Sequence, residues 1–448
     1  MDVALLSRLQ FALTISFHYL YPPLSIGLGL LLVLMEGIYL RTRDPLWQEI
    51  TRFWVRIFGL TFAMGVATGI VMEFEFGTNW AAYSRFVGDV FGSALAAEGI
   101  FAFFLESGFL ALLLFGWDRV GPRVHFLGTV MVCLGAHFSA IWIVVANSWM
   151  QTPAGFHLVG TPPHVRAEIT DFWAMVLNPS SVQRLTHTVL GAWQAGAFLV
   201  LSVSAWYLLR GRHLPFARNT LKLGLGVALF ASLASLVTGD LSARGVARNQ
   251  PVKLAALEGV YPAAEPAGLH LFGWVDERGA RVIGPQIPGA LSWMVHGDVS
   301  RPVPGLAAVP PGDRPPVQLT FQAFHLMVAV GMALIGLSLL GVLLLWRGRL
   351  FRTRWLLWLF VPAVLGPQLA NQLGWMTAEL GRQPWIVQGL MRTRDGLSPA
   401  VGAGAVLVSL VLFTAVYALL FVLFLFLLDQ KIRHGPSADD SAPAGQRA

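Results

Sequence analysis

The sequence predicts an all-α membrane protein, with nine transmembrane helices packed in helical bundles. Charged residues make up only 12% of its 448 residues, about half of the roughly 25% that is usual in soluble domains. Apolar residues make up 55%, and the mean hydropathy is +0.63. Nine apolar runs are each long enough to cross a bilayer core about 30 Å thick. This composition excludes a water-soluble enzyme.

The predicted spans are bounded by clusters of Arg, Pro or Gly, as expected for helices that begin and end at a membrane surface. The N-terminal segment lacks the basic region and the cleavage site of a signal peptide, so we expect the first span to be retained. The nine spans are residues 11–40, 54–76, 92–116, 124–146, 185–209, 219–240, 319–346, 355–379 and 401–428.

Basic residues predict the orientation of the chain. Seventeen of the 31 Lys and Arg residues lie on one side, in the short loops after odd-numbered spans and in the C-terminal tail. By the positive-inside rule this side is the cytoplasm, so we expect the N-terminus outside and the C-terminus in the cytoplasm. The net charge of +7 therefore reports orientation, and we expect no nucleic-acid partner.

The sequence divides into four regions. Residues 1–240 hold six helices, 241–318 form a long external loop rich in Pro and Gly, 319–430 hold three helices, and 431–448 form a disordered cytoplasmic tail. A loop as long as the second region is typical of a functional lid or a disordered linker.

Cys133 is the only cysteine in the sequence, which excludes Cys-ligated iron–sulfur clusters, a CxxCH haem attachment and an internal disulfide. A bound metal would therefore need His, Met, Glu or Asp ligands. Ionisable side chains are costly inside a membrane, so each is a functional candidate, with a helix-packing hydrogen bond as the alternative. The candidates share a depth in the outer half of the membrane, and they are His18, Glu98, Glu106, His187, His325, Met327 and Glu379.

Two of the histidines and Met327 are candidate haem ligands. Pro22 cannot donate to the carbonyl of His18, so the helix should kink beside this histidine. His187 is flanked by small residues that suit the approach of a planar group, and a His paired with Met327 would give a six-coordinate haem iron. His325 and Met327 are two residues apart, about 200° around a helix, so they cannot both face one iron.

Glu98 and Glu106 form a candidate proton path. They lie about 12 Å apart along a helix and about 80° from alignment, which suits a ladder of carboxylates. Separate hydrogen bonds from each glutamate to a neighbouring helix are the alternative.

The remaining polar candidates have simpler interpretations. Arg382, shortly after Glu379, could pair with a haem propionate or with another anionic neighbour. We expect His137 to make an interhelical hydrogen bond. We expect His125, which lies near a helix end, to be solvated.

Several segments resemble subunit I of the cytochrome bd-type quinol oxidases. The match covers about residues 5 to 430, and it rests on the Glu98 and Glu106 pair and on the segments SRLQFALTISFHYLYPPL, GAHFSAIWIVVANSWMQTPAGF, RLTHTVLGAWQAGAF, FHLMV and GWMTAELGRQPW. The resemblance implies the haem-bearing catalytic subunit of a terminal oxidase in a bacterial cytoplasmic membrane. Such an oxidase oxidises quinol at the outer face and reduces O2 to water, which builds a proton-motive force without pumping. It also implies a second multi-helix subunit as partner, and it allows a small single-helix subunit.

The resemblance also implies site residues, position by position. His18 and Glu379 correspond to axial ligands of two high-spin haems, b-type and d-type or both b-type, and His187 with Met327 to the ligands of a low-spin haem b. The other matched positions are Glu98 and Glu106 at the proton supply, Trp375 and Arg382 beside the high-spin haems, Ser139 and Asn147 as polar support, and Lys253 and Glu258 in the quinol-binding loop.

Two features distinguish this chain within that family. Its external loop is short, resembling the subgroup often called cyanide-insensitive oxidases. His325 stands where many members have Arg, two positions before Met327, which bears on how the charge of the low-spin haem is balanced. From the resemblance we expect Glu258 to accept a quinol proton, and Lys253 to orient that carboxylate or the quinone oxygen.

Two other classes of function fit the composition. A proton- or ion-coupled transporter would use buried Glu and His without haem, and would place them near the membrane midplane. A quinone-linked electron carrier without O2 chemistry would need only six-coordinate haems. Haem absorption with and without CO separates these classes from an oxidase.

Overall fold

The computed structural model describes residues 2–162, 164–263 and 265–436. Within these residues, nine helical spans are long and apolar enough to cross a membrane, which confirms the predicted count and fold class. Most spans are longer than the apolar runs in the sequence, because the helices continue through polar residues at both membrane surfaces. The first, for example, covers Val3–Thr42.

The described residues form sixteen α-helices and eight short strands. The first eight helices are α1 Val3–His18, α2 Pro22–Thr42, α3 Pro45–Thr78, α4 Ala81–Phe86, α5 Gly88–Glu98, α6 Phe104–Phe115, α7 Pro122–Gln151 and α8 Phe172–Val176. The others are α9 Ser181–Arg210, α10 Leu214–Asn249, α11 Pro251–Glu258, α12 Ala290–His296, α13 Val317–Trp346, α14 Arg354–Phe360, α15 Leu365–Leu380 and α16 Ala403–His434. The strands are β1 Phe156–Val159, β2 Arg166–Ile169, β3 Leu269–His270, β4 Trp274–Asp276, β5 Arg281–Ile283, β6 Gln286–Ile287, β7 Trp385–Val387 and β8 Met391–Arg392.

Proline interrupts two of the spans. α1 ends at His18 and α2 begins at Pro22, which confirms the predicted kink. The eighth span was predicted as one helix over 355–379. Instead α14 and α15 are separate helices joined through a 3-10 turn that begins at Pro362, because this proline lacks the N–H that would continue α14.

Helices α2 and α9 pack in close contact at the centre of the bundle. Gly27 of α2 lies against the backbone of Gly196 in α9, so closely that a Cβ on either residue would collide with the other helix. Small residues allow such close backbone approach between membrane helices. Large buried side chains from several helices form the main apolar core of the bundle, among them Leu28, Leu31, Phe53, Trp54, Phe58, Phe198, Tyr207 and Phe216.

The region predicted as a long loop is largely structured. α10 extends to Asn249, past the predicted helix end at residue 240, and α11 follows directly. Antiparallel pairs β3–β6 and β4–β5 lie further along. Buried residues from α11 and from the following segments pack together: Leu254, Ala267, Leu291 and Val303. A disordered linker does not fit these described residues, whereas a folded lid does.

Ion pairs show which parts of the chain share a membrane surface. They are Arg394 with Asp2 at 3.0 Å and Arg392 with Asp313 at 2.6 Å. The start of α1, the region between α11 and α13, and the connection from α15 to α16 therefore lie on one side. α16 continues to His434, so residues 431–434 are helical and do not belong to the predicted tail. The predicted tail from residue 437 onward lies outside the described residues.

Candidate functional site

Glu379 lies at the centre of a polar cluster at the end of α15. Its Oε1 accepts hydrogen bonds from Asn147 Nδ2 at 3.0 Å and from Gln151 Nε2 at 3.4 Å, and its Oε2 pairs with Arg382. The Arg382 side chain is 3% exposed, whereas that of Glu379 is 28% exposed. Three of the predicted site residues are thus brought together, and the carboxylate keeps one accessible side.

Arg184 is a second, half-buried cation in this cluster, and the sequence reasoning missed it. Its Nη2 donates to Asn147 Oδ1, so Asn147 connects Arg184 to Glu379. Arg184 stands in α9 three residues before His187, and residues three apart share a helix face. An arginine at the start of an apolar run, on the same face as a candidate ligand, is the signal that could have identified it.

Lys253 also joins the cluster. Its Nζ donates to Gln151 Oε1 at 3.0 Å and to a backbone carbonyl of α15 at 2.9 Å. Burial and then the charge of Arg184 lower the pKa of Lys253 well below its ordinary value, while Glu379 opposes this effect. Of the two roles predicted for Lys253, orienting the carboxylate of Glu258 does not fit these contacts, because five residues along α11 turn the two side chains about 140° apart. Orienting a quinone oxygen stays a prediction.

The cluster contains buried donors that no protein group satisfies. Arg184 Nε, Arg382 Nε and Arg382 Nη1 are buried without a hydrogen-bond partner. Leaving such a donor unpaired costs about 1–3 kcal/mol, and more for a charged group. The planar guanidinium presents its donors in a fork that matches a carboxylate. These donors therefore fit the propionates of a haem.

His18 lies where α1 ends, next to the break before α2. Its Nδ1 is 3.0 Å from Oγ1 of Thr68 in α3. The following residue, Tyr19, contacts Trp375 of α15 edge to face, with ring centroids 5.4 Å apart. Trp375 therefore connects the His18 end of α1 with the helix that carries Glu379.

Helix α15 also meets the helices of the other two predicted ligands. One turn after His187, the carbonyl of Gly191 accepts a hydrogen bond from Asn371 Nδ2 at 3.4 Å. Further along α15, a Cβ on Gly374 would lie 3.3 Å from Met327 Sδ. Asn371 and Gly374 share a helix face because they are three residues apart. The helices that carry His187 and Met327 thus approach one face of α15.

Both ring nitrogens of His325 are occupied by backbone groups. Nδ1 lies 2.9 Å from the carbonyl oxygen of Phe321, and Nε2 lies 2.9 Å from that of His270. The ring also stacks on Phe321, with centroids 3.8 Å apart. His325 is therefore not free to replace Met327 as a ligand.

A π-helical segment, Gly99–Phe103, changes the geometry expected for Glu98 and Glu106. A regular α-helix would place them about 80° apart, but the wider turn absorbs about one residue and leaves about 20°. Contacts on α7 agree with this alignment. Ser139 Oγ donates to Glu98 Oε1 at 2.6 Å, and Gly135, one turn earlier, lies against Glu106. The predicted misalignment is wrong, and both glutamates lie against α7.

Glu258 is the last residue of α11 and is buried, with 4% of its surface exposed. Its Oε2 has no hydrogen-bond partner. Burial raises the pKa of Glu258 to about 8. The carboxyl group is thus mainly protonated at neutral pH, and it releases its proton within reach of physiological pH.

Two further histidines test the sequence interpretation. His125 was expected to be solvated, but it is 1% exposed, with Nδ1 2.6 Å from Glu36 Oε1 and Nε2 3.2 Å from the Leu113 carbonyl. This prediction failed because the first turns of α7 are covered by α2 and α6. His137 accepts a hydrogen bond from Trp193 Nε1 at 2.9 Å, which confirms its expected interhelical role.

Two buried carboxylates were missed by the sequence reasoning. Glu36 of α2 pairs with His125 and also accepts from Thr129. Glu75 of α3 is 2% exposed and accepts from Thr14 Oγ1 at 2.9 Å. Both glutamates stand within apolar runs, and the high cost of burying a carboxylate there is the signal that could have identified them.

The fold and the site define a class of protein: a multi-pass helical membrane protein whose buried and half-buried His, Met, Glu and Arg side chains suit the binding of haem. Among the described residues, no three His, Cys, Asp or Glu side chains are grouped to hold a bare metal ion. The family described as cytochrome bd terminal oxidase subunit I matches residues 6–436. The chain belongs to this family.

Known relatives match over nearly the whole chain. It is 39% identical to cytochrome bd ubiquinol oxidase subunit 1 of Bacillus subtilis (strain 168), over 98% of this chain and 96% of the relative. It is 35% identical to cytochrome bd-II ubiquinol oxidase subunit 1 of Escherichia coli (strain K12), over 100% of this chain and 99% of the relative. The structure of bd oxidase from Geobacillus thermodenitrificans matches with a TM-score of 0.89 and 31% identity, over 97% of this chain and 99% of the other.

These findings establish the function at the level of the family. The chain is a terminal oxidase subunit and a multi-pass protein of a bacterial cytoplasmic membrane. A cytochrome family implies haem, and the designation subunit I implies at least one further subunit. Neither the transporter nor the electron carrier without O2 chemistry fits this assignment.

Proposed function

We propose that this chain oxidises quinol at the outer membrane face and reduces O2 to water, building a proton-motive force without pumping. The observation that carries this proposal is the cluster around Glu379, in which Arg184 and Arg382 have three unpaired buried donors. Lys253 of the external region reaches the same cluster. Haem propionates held there would lie beside the region where quinol binds.

We propose that His187 and Met327 ligate a low-spin haem b, and that His18 and Glu379 ligate two high-spin haems. One of the high-spin haems is d-type, or both are b-type. When bound, haem supplies one-electron transfer at a six-coordinate iron and O2 binding at an iron with an open position. Met327 serves as the ligand because both nitrogens of the neighbouring His325 face backbone carbonyls.

Other side chains hold and separate the charges around these ligands. Arg184 and Arg382 bind propionates through their free donors. Asn147 connects Arg184 with Glu379 and so fixes the carboxylate relative to both guanidinium groups. Trp375 packs against Tyr19 and so fixes α15 relative to the His18 end of α1.

Glu106 and Glu98 carry protons toward the O2-reducing site from the cytoplasmic side. Both glutamates lie against α7, where Ser139 donates to Glu98 at 2.6 Å. A hydroxyl beside a carboxylate can accept and pass on a proton by rotating. Because quinol protons leave outward while these enter from the cytoplasm, each turnover moves charge across the membrane.

Glu258 accepts a hydroxyl proton from quinol beneath the external region. Its unpaired Oε2 and its raised pKa, about 8, suit a group that is protonated and released in each cycle. Lys253 secures α11 to Gln151 at the end of α7 and to the backbone of α15 through its two hydrogen bonds, which holds Glu258 in place.

The external region is short, which supports membership of the subgroup often called cyanide-insensitive oxidases. The partners are a second multi-helix subunit and, in some assemblies, a small single-helix subunit. Exposed apolar residues of α16 offer a surface for lipid or for such a partner: Val408, Val411, Leu419, Val422 and Phe426.

O2 uptake by the purified complex tests this proposal. With ubiquinol or menaquinol as donor, we expect sustained O2 consumption that Glu258→Gln lowers by roughly tenfold or more, with haem content unchanged. Glu265→Gln is the matched control, because Glu265 lies in the same region but is exposed. A haem-loaded wild-type complex that consumes no O2 with either quinol would contradict the proposal.

A further inference from the structure

Two histidines on different helix pairs each contact a threonine hydroxyl through Nδ1. His18 Nδ1 lies 3.0 Å from Oγ1 of Thr68, a residue 50 positions later. His187 Nδ1 lies 3.0 Å from Oγ1 of Thr238, a residue 51 positions later. In both cases the histidine and the threonine stand on neighbouring helices. The two arrangements therefore arise independently along the chain, with the same atoms in contact.

A glycine follows each of these threonines and makes room for the imidazole ring. A Cβ on Gly69 would lie 3.2 Å from Cε1 of His18, and a Cβ on Gly239 would lie 3.5 Å from Cε1 of His187. Glycine in a helix interior is destabilising relative to alanine. Glycine stands at both places, where it leaves space for the imidazole ring to approach the helix.

The direction of the hydrogen bond follows from the other partners of each hydroxyl. Thr68 Oγ1 donates to the carbonyl of Met64 at 2.8 Å, and Thr238 Oγ1 donates to that of Ala234 at 3.1 Å. A hydroxyl has only one hydrogen to donate. Each threonine oxygen must therefore accept a hydrogen from the histidine.

A second backbone carbonyl in the same turn supports this direction. Thr68 Oγ1 also lies 3.2 Å from the carbonyl oxygen of Gly65, and Thr238 Oγ1 lies 3.4 Å from that of Ser235. A backbone carbonyl can only accept, so each hydroxyl hydrogen points to the backbone and each histidine carries its hydrogen on Nδ1. The lone pair of each neutral imidazole is then on Nε2.

We propose that Thr68 and Thr238 are positioning residues, which hold His18 and His187 as Nδ1–H tautomers and so present Nε2 to haem iron. This inference rests on the proposed ligation of haem by these two histidines. A ligand histidine whose other N–H donates to a fixed acceptor has a set ring orientation and is a stronger base. A stronger base stabilises ferric iron more than ferrous iron, so it lowers the midpoint potential.

The test compares Thr238→Val with Thr238→Ser in the purified complex. Valine keeps the shape of threonine without the hydroxyl, and serine keeps the hydroxyl. We expect Thr238→Val to weaken retention of the low-spin haem by roughly tenfold and to raise its midpoint potential. A tenfold loss of ferric over ferrous affinity corresponds to about 59 mV. Thr238→Ser should retain the wild-type potential.

Thr186→Val is the control, because the exposed hydroxyl of Thr186 precedes His187 in sequence but bonds only carbonyls of its own helix. A Thr238→Val complex with wild-type potential and haem retention would overturn the proposal, and so would equal shifts in the valine and serine variants. His187→Ala distinguishes this from failure of the ligation itself. If His187→Ala keeps the low-spin spectrum, the ligand assignment is wrong.

Thr68 provides a second test should Thr238→Val fail to assemble. The iron–histidine stretching frequency of the reduced high-spin haem, measured by resonance Raman, reports hydrogen bonding at Nδ1. We expect this frequency to fall in Thr68→Val and to be restored in Thr68→Ser. An unchanged frequency in Thr68→Val would overturn the proposal for His18.

Discussion

Replacing Glu258 with Gln should remove the pH dependence of quinol oxidation in the neutral range. The wild-type carboxyl group is buried at the end of α11, its Oε2 is unpaired, and its pKa is raised to about 8. Burial is the cause of this shift. Glutamine keeps the size and the neutral state of the protonated acid, but it cannot accept a proton.

The size of the effect follows from this pKa. With a pKa of about 8, roughly a tenth of Glu258 is ionised at pH 7 and roughly nine tenths at pH 9. If the ionised form accepts the quinol proton, kcat/KM for quinol should rise about tenfold between pH 7 and pH 9. Relative to an ordinary value of 4.5, the raised pKa corresponds to about 5 kcal/mol against ionisation in the folded state.

This cost also predicts a change in stability with the opposite sign to the usual acid effect. Between pH 4.5 and about pH 8 the unfolded chain releases the Glu258 proton while the folded chain retains it. The free energy of unfolding should therefore fall as pH rises through this window. Glutamine does not ionise, so the variant does not lose stability in this way. The difference in free energy of unfolding between Glu258→Gln and wild type should therefore grow with pH, to at most about 5 kcal/mol.

The assay is quinol-driven O2 uptake by the purified complex from pH 6 to pH 9, together with thermal unfolding at each pH. Glu265→Gln, an exposed position, should show the wild-type profile in both measurements. The reasoning would be refuted if Glu258→Gln retained activity with the same rise of kcat/KM between pH 7 and pH 9. If kcat/KM no longer rises with pH but the variant has also lost haem, Glu258 has a structural role instead.

Further substitutions test the ligands and the proton path. Met327→Leu should abolish the low-spin haem absorption of purified membranes, whereas His325→Gln should retain it, and the reverse result would exchange the two assignments. Glu106→Gln should reduce O2 uptake by tenfold or more with haem content unchanged, and intact uptake would remove it from the proton path. Arg184→Gln should lower haem retention by about thirtyfold, since a charge-assisted hydrogen bond contributes about 2 kcal/mol, and unaltered haem content after detergent washing would contradict its propionate contact.

The sequence predicts features that depend on local chemistry. Apolar run length alone identifies nine spans, because a helix must satisfy its own backbone within the bilayer. Pro22 predicts the end of α1 at His18, since the missing N–H acts on a residue four positions away. Positions such as Met327 and Glu379 are recognised because buried polar or metal-competent side chains are rare in an apolar chain.

Features that depend on contacts between distant helices could not be predicted in this way. The π-helical segment after Glu98 has no local proline or charge that marks it, and it decides the alignment with Glu106. Lys253 lies in a region whose sequence predicts a loop, so its contact with α15 could not be predicted from the sequence. The same holds for His125, whose burial depends on α2 and α6.

The central claim is that this chain carries one haem that only transfers electrons and at least one that binds O2. The reduced-minus-oxidised absorption spectrum of the purified complex, recorded with and without CO, tests it most directly. We predict a low-spin haem band unaffected by CO, lost in Met327→Leu, together with a high-spin haem whose spectrum shifts when CO binds. Absence of haem, or haem without any CO-induced shift, would contradict the claim.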